Sequence, residues 1–578
     1  MKTQSEANLP GRAAIMPRDG LSYVRGDTMP PLSELTVSAL LADTVNRHGH
    51  RPAVAFREHG IRWSWLDLAD AVDAMAAGLH ALGLRRGDRV GMWSPNRPEW
   101  LVTQFATARL GLIMVNVNPA YRLAELEYAL NKVQCKAIIA PESFKTSRYL
   151  EMLRTLAPEL ADCEPGALLA ARLPALRCVI RLDNVSAPGM LTYKALLSLG
   201  TDVPVSELDA ITAQLDCHDP INIQFTSGTT GAPKGATLTH RNIVNNARHV
   251  AAAMRFTEQD TLCIPVPLYH CFGMVMSVLA CVSTGARMVF PGEAFEPVAT
   301  MSAVSDERCT ALHGVPTMFI AQLDHPDFAS YDFSSLRTGI MAGAPCPIEV
   351  MKRVSTDMNM TEVTIAYGMT ETSPVSFQSE TTTPLEKRVS TVGRIQPHLE
   401  CKVVDIDGRI VPVGATGELW TRGYSVMLGY WDDEIRTRDS ISDGWMKTGD
   451  LATIDAEGYC NIVGRIKDML IRGGENIYPR EIEEFLFSHP KVQAVQVVGV
   501  PDPKYDEEVC AWIVLKPGQS ATEDEIRAFC RDRIAYFKVP RYIRFVTEMP
   551  MTVTGKVQKF AIRESMIREL NLVENKTA

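Results

Sequence analysis

A chain of 578 residues with 46% hydrophobic and 22% charged side chains is too long for one core and too apolar to stay disordered, so two or more globular domains are expected. Its formal net charge of −9 leaves no basic face for nucleic acid. The thirteen cysteines are scattered, with no C-x-x-C pair and no His/Cys cluster at zinc spacing, which argues against a disulfide framework or structural zinc and for the reducing cytoplasm.

Residues 1–35 read as a loosely ordered N-terminal arm, since they lack both the apolar core of a secretory signal and a helical stripe. From Arg51 a rhythm sets in: a strand pair around Val54–Phe56 and Ile61–Trp63, a helix over Leu66–Leu82, then strands at Arg89–Trp93, Leu112–Asn116 and Lys136–Ala140 separated by helices beginning near Pro98 and Leu123. Strands alternating with helices predict an α/β fold with mostly parallel sheets. The apolar run Ile221–Phe225 feeds a glycine-rich loop, and "THRNIVNNARHVAAAM" after it reads as a helix, predicting strand, loop and helix in succession. The most apolar window, Cys271–Ala286, is too short for a membrane span and is expected as a buried helix. After about Glu400 the pattern changes to short β segments punctuated by glycine. From Pro479 a new unit begins, with a helix over Arg480–Ser488, strands over Val492–Val500 and Glu508–Leu515, a helix over Glu523–Arg533 and a strand over Tyr542–Phe545. The expected division is thus an arm (1–35), a large domain (36–466) with a β-rich subdomain, and a small α+β domain (467–578), with no internal repeat.

The loop from Thr226 to Thr237 packs five hydroxyl side chains, three glycines and one lysine into twelve positions. Glycines let backbone N–H groups converge, while hydroxyls and Lys234 add donors and charge, a composition suited to phosphate. The spacing is not G-x-x-x-x-G-K-[ST], because Lys234 follows Pro233 and precedes Gly235. Further along, "AYGMTETSP" offers an aromatic face at Tyr367 and a Thr370–Glu371 pair, "DGWMKTGDL" places Asp450 in a turn, "GRIKD" gathers Arg465, Lys467 and Asp468, and "PMTVTGKVQK" presents Lys556 after a glycine. Taken singly, Tyr367 reads as core and Lys556 as a solvated surface lysine.

Taken together and in this order, "TSGTTGAPKG", "PLYHCFGM", "MAGAP", "YGMTETSP", "TGD", "GRIKDMLIRGGENIYPREIE" and "PMTVTGK" resemble the adenylate-forming superfamily of acyl-CoA synthetases, luciferases and peptide-synthetase adenylation domains. Within it, "NPAYR", "RGYSVMLGYW" and "VGRIKDMLIRGGENIYPREIEEF" look most like medium-chain fatty acyl-CoA synthetases. The resemblance implies ATP, Mg²⁺ and coenzyme A as reaction partners. It implies that Thr226, Ser227, Gly228, Thr229, Thr230, Gly231 and Lys234 follow the ATP phosphates, and that Thr226 and Glu371 hold the metal. Gly343, Ala344 and Pro345 would bind the cofactor, Tyr367 would stack on adenine, and Asp450 and Arg465 would serve the ribose. Lys556, with Thr370, Glu371 and His270, would serve the reacting carboxylate. Lys467 would be a hinge about which the small domain turns, bringing Gly473, Gly474 and Glu475 to the pantetheine. Met446, Lys447 and Phe537 depart from the residues common in the family.

The segment Pro267–Leu279 would line the acyl site and carries no Lys or Arg, which speaks against a second charge on the acid. Gly368 stands where acetate-specific relatives carry tryptophan, so an open acyl channel and a medium-chain fatty acid are expected. Two other functions are weighed: loading an acyl or aryl acid onto a carrier protein, and non-catalytic binding of nucleotide or lipid. The first is disfavoured by the absence of an insertion between Ile477 and Glu481, the second by the presence of Glu371, Asp450 and Lys556 together. No integral membrane segment is expected, and the assembly is either a single chain or a homodimer.

Overall fold

The computed structural model describes residues 16–226, 233–344, 346–473, 475–552 and 555–572. Two large sheets form the body of the first domain, one of eight strands and one of nine. Their central strands pair in parallel, as between Arg89–Met92 and Ile113–Asn116 or between Thr338–Ala342 and Glu362–Gly368. Such strands read as unbroken apolar runs because helices cover both faces; Ile113–Asn116 is buried throughout. The covering helices are locally encoded. Trp65–Ala81 starts on a capping box between Ser64 and Asp67. Pro98–Leu110 opens on proline and stops at Gly111 with φ 65°.

Antiparallel strands lie at both ends of the nine-stranded sheet and at one end of the eight-stranded sheet, and at that end the structure corrects the sequence reading. After the strand Pro220–Thr226, the chain returns as a second strand, Lys234–Thr239, paired antiparallel with Lys234 opposite Thr226. Only then does the helix His240–Ala253 begin, capped by Thr239. A strand therefore intervenes between the glycine-rich segment and the helix. The Cys271–Ala286 window also differs: it is buried as expected, but Phe272–Leu279 is π-helical and only Ala280–Thr284 is α-helical. Ser277 stabilises the wide turn by donating its hydroxyl hydrogen to Phe272 O at 2.8 Å, and such turns recur at functional sites. No helix among the described residues is long and apolar enough to cross a membrane.

The N-terminal arm is not loose over its described part. Tyr23–Arg25 adds a strand to the six-stranded sheet of the β-rich subdomain, antiparallel to Leu399–Val404. Beyond it, Ser33 N–H donates to Asn245 Oδ1 at 2.7 Å and Val37 N–H to His240 Nδ1 at 3.0 Å. These partners lie hundreds of residues away, which is why local composition does not reveal them.

The six-stranded sheet includes Cys460–Arg465, the five-stranded sheet of the small domain starts with Leu470–Arg472, and the single turn Ile466–Asp468 joins them. In the small domain Val492–Asp502 and Asp506–Leu515 form a long hairpin, with Tyr542–Phe545 parallel to the second strand. The expected helix over Glu523–Arg533 stops at Cys530, because Arg531 turns extended. The small domain seats on the large one through Arg480, whose Nη1 donates to Ile462 O at 2.5 Å, and Gln493, whose amide donates to Asp324 Oδ2 at 3.2 Å.

Candidate active site

Strand ends and the turns after them carry the expected residues into one place, as open α/β sheets do. Thr226 ends one strand, Gly343 follows the strand Thr338–Ala342, and Tyr367 lies near the end of Glu362–Gly368. Thr370–Thr372 forms a short 3₁₀ turn that buries Glu371. The Glu371 Oε1 accepts hydrogen bonds from the Thr226 hydroxyl at 3.1 Å and from the Tyr430 hydroxyl at 2.9 Å. Lys234 Nζ lies 4.8 Å from the centre of the Tyr430 ring. A carboxylate with an alcohol oxygen beside it is a sparse set of hard oxygens, the kind Mg²⁺ completes with water and phosphate.

A second cluster forms where two strands of the β-rich subdomain pair. Asp450 lies opposite Arg465 in register, and Arg465 Nε is 3.2 Å from Asp450 Oδ1. The Tyr367 hydroxyl donates to the other oxygen, Oδ2, at 2.6 Å. Burial raises the Asp450 carboxyl above the ordinary aspartate range, and Arg465 and Tyr367 pull it back. Asp450 does not sit in the expected turn: it lies within the strand Trp445–Ile454, where the register with Gly417–Gly423 shifts and Glu418 Oε1 accepts the Gly449 N–H at 3.2 Å. Gly449 has φ 70°, a conformation that glycine adopts without strain.

Lys556, from the small domain, reaches the third cluster. A Cβ added at Gly343 would lie 3.7 Å from Lys556 Cε, and one added at Gly555 would lie 3.0 Å from Val315 Cγ2. The loop that carries Lys556 is therefore seated on the large domain with little room to spare. Burial lowers the Lys556 ammonium below the usual lysine range and Arg465 lowers it further, against Asp450 and Glu371. His270 is pushed down to about 3 by burial and by Lys556, so it is neutral. Its Nδ1 accepts the Phe272 N–H at 3.1 Å, which leaves the proton on Nε2. Cys271 beside it donates to Gln224 Oε1 at 3.2 Å.

The structure thus brings Thr226, Lys234, Gly343, Tyr367, Thr370, Glu371, Asp450, Arg465, His270 and Lys556 into one linked neighbourhood, with Ala344 next in the turn after Gly343. Gly473 and Glu475 are elsewhere, on the exposed hairpin formed by Leu470–Arg472 and Glu475–Ile477. Gly473 has φ 57° and donates its N–H to Tyr505 O at 2.9 Å. Lys467 sits in the turn Ile466–Asp468 between the domains. Ser227, Gly228, Thr229, Thr230, Gly231, Pro345 and Gly474 lie outside the described residues.

Two features escape sequence reasoning. Tyr430 stands within the quoted "MLGYW", yet nothing local indicates that its hydroxyl meets a carboxylate 59 positions earlier. Gly368 reads as the opening of a channel, but a Cβ there would lie 1.7 Å from Pro374 O. Close approach demands glycine on this backbone, so Gly368 by itself does not mark an acyl channel.

The AMP-binding enzyme family matches residues 41–431, and the AMP-binding enzyme C-terminal domain matches residues 481–556. The medium-chain acyl-CoA ligase ACSF2, mitochondrial, of Danio rerio is 49% identical over 95% of this chain and 91% of that protein. The putative acyl-CoA synthetase YngI of Bacillus subtilis (strain 168) is 48% identical over 94% of this chain and 99% of that one. Among solved structures, the anthranilate CoA ligase AuaEII in complex with anthranoyl-AMP aligns with a TM-score of 0.83 at 26% identity, covering 94% of this chain and 99% of that one. ATP-bound MatB from Rhodopseudomonas palustris aligns at 0.79 and 28%, covering 93% and 100%.

Proposed function

The chain belongs to the AMP-binding enzyme family, and from that premise we propose that it joins a medium-chain fatty acid to coenzyme A through an acyl-AMP intermediate. It is an acid–CoA ligase. The observation that carries the adenylating step is the seat of Lys556 against Gly343, in the same neighbourhood as His270, Glu371 and Asp450.

Each residue then has a task set by its chemistry. Lys234 supplies positive charge to the phosphates. Asp450, held between Tyr367 and Arg465, accepts hydrogen bonds from the ribose hydroxyls. Lys556 lies where the acid carboxylate meets the α-phosphate, two anions whose approach is repulsive, and its ammonium lowers that cost in a site shielded from water. Neutral His270 offers its Nε2 hydrogen to the carboxylate without adding a charge. Glu371 and the Thr226 hydroxyl would hold Mg²⁺, which when bound neutralises phosphate charge. Thiol attack on the acyl-AMP carbonyl then breaks the mixed anhydride and releases AMP. For this second step Gly473, Gly474 and Glu475 would turn toward the pantetheine about Lys467.

The medium-chain reading rests on the ACSF2 relatives, which are medium-chain acyl-CoA ligases, and on a largely buried segment without cationic side chains, Pro267–Leu279. The thirteen cysteines are all free, which supports placement in the reducing cytoplasm, whereas the ACSF2 relatives carry "mitochondrial" in their names. Measuring CoA consumption with acetate, hexanoate, octanoate, palmitate, malonate and benzoate tests the choice of acid: a maximum at palmitate or benzoate rejects it. Octanoyl transfer to a holo-carrier protein but not to CoA would establish the carrier-loading alternative. Sedimentation distinguishes a single chain from a homodimer.

A further inference from the structure

The strap Met427–Trp431 ties the phosphate hairpin to the Glu371 turn. Met427 N–H donates to Glu371 O at 3.0 Å, Leu428 N–H to Thr237 O at 3.0 Å and Trp431 N–H to Gly235 O at 2.8 Å. Within it Gly429–Tyr430 pairs antiparallel with the strand Lys234–Thr239, placing Tyr430 opposite Ala236. These bonds fix the Tyr430 backbone on both sides, and the side chain is buried at 6% exposure.

The Tyr430 side chain serves two groups of opposite charge. Its hydroxyl donates to Glu371 Oε1 at 2.9 Å, and its ring carries the Lys234 ammonium at 4.8 Å from the centre. The ring and hydroxyl of Tyr430 thus stand between an ammonium and a carboxylate of opposite charge, whose attraction would favour direct pairing if the ring were absent. Such a pair must be broken before phosphate can take the lysine and a metal ion the carboxylate. With Tyr430 between them, the carboxylate has a neutral donor and the ammonium a neutral face, both easily exchanged for ligand. The Thr226 and Tyr430 hydroxyls also converge on the same oxygen, so that among the described residues Oε2 is the freer lone-pair donor.

We propose that Tyr430 is a positioning residue that keeps Lys234 and Glu371 apart and orients Glu371 Oε2 toward the metal, resting on the reading above that this site takes ATP with Mg²⁺. The test is calorimetric binding of ATP to the full-length protein, with EDTA and with Mg²⁺, so turnover is not the readout. Tyr430→Phe keeps the ring and removes the hydroxyl. It should bind metal-free ATP as wild type does and lose about tenfold of the Mg²⁺-dependent gain, the scale of one hydrogen bond to a charged group. Tyr430→Leu removes both functions, and metal-free ATP should also bind about tenfold more weakly as Lys234 collapses onto Glu371. Adding Glu371→Gln to Tyr430→Leu removes the partner for that collapse and should restore metal-free binding to near the wild-type level. A Tyr430→Phe protein with the wild-type Mg²⁺ gain, or a double variant no better than Tyr430→Leu, overturns the proposal alone. Wild-type protein that binds no ATP overturns the ligase reading and this proposal with it.

Discussion

Replacing Lys556 by methionine removes one positive charge while keeping an unbranched chain of similar length beside Gly343, where space is limited to 3.7 Å from an added Cβ. Two unit charges 4 Å apart at an effective dielectric constant of 20 interact by about 4 kcal/mol, or about 10³ in rate. Loss of a single preorganised donor elsewhere costs about 10² to 10³, so a fall of that size in acyl-AMP formation is expected. Stability should move the other way. Burial and Arg465 place the folded-state pKa of Lys556 below its unfolded value, so the charged form opposes folding while it persists, and that penalty fades as pH rises from the depressed pKa toward the unfolded one, about 10.4. Lys556→Met should therefore melt no lower than wild type near pH 7, and the two proteins should converge as pH is raised. The assay pairs pyrophosphate release from ATP and octanoate with CoA capture of supplied octanoyl-AMP, alongside thermal melts. Only the first reaction should fall. Equal loss in both, or a variant that melts well below wild type, would refute the argument that Lys556 acts only where two anions meet.

Glu371→Gln keeps the size of the side chain and both hydroxyl partners but not the charge, so the Mg²⁺ concentration for half-maximal activity should rise about tenfold with melting unchanged, and excess Mg²⁺ should recover part of the rate; a normal Mg²⁺ titration excludes Glu371 from the metal. Tyr367→Phe removes the 2.6 Å bond to Asp450 and should raise KM for ATP by about tenfold with little change in kcat, whereas unchanged ATP kinetics would show that this bond does not prepare Asp450. Lys467 lies in a 3₁₀ turn, whose φ of about −50 to −70° suits proline. Lys467→Pro should therefore retain pyrophosphate release in the arrangement that seats Lys556, and lose CoA capture about 10²-fold or more if backbone rotation there brings the Gly473 hairpin into place. Lys467→Ala, the control for the side chain, should keep both; an alanine variant as defective as proline would assign the effect to the ammonium group.

What the sequence determined by itself was the set of motif residues that the fold then gathers, and the local rhythm. Apolar runs and capping residues such as Ser64 with Asp67, or Pro98 with Gly111, act within a few positions of themselves, so α/β alternation was legible, as were the motif residues Thr226, Glu371, Asp450 and Lys556. Tertiary structure decided whatever depends on pairing between distant segments. Lys234–Thr239 lacks a clear strand pattern and becomes a strand because it exchanges backbone hydrogen bonds with Pro220–Thr226 on one side and receives them from the Met427–Trp431 strap on the other. Tyr23–Arg25 leaves a composition that looks loose because Leu399–Val404 offers an open edge. The same holds in the site, where Tyr367 reaches Asp450 across 83 positions and Tyr430 reaches Glu371 across 59. A hydroxyl's partner depends on where the backbones cross in space, and side-chain periodicity within one element carries no information about that crossing.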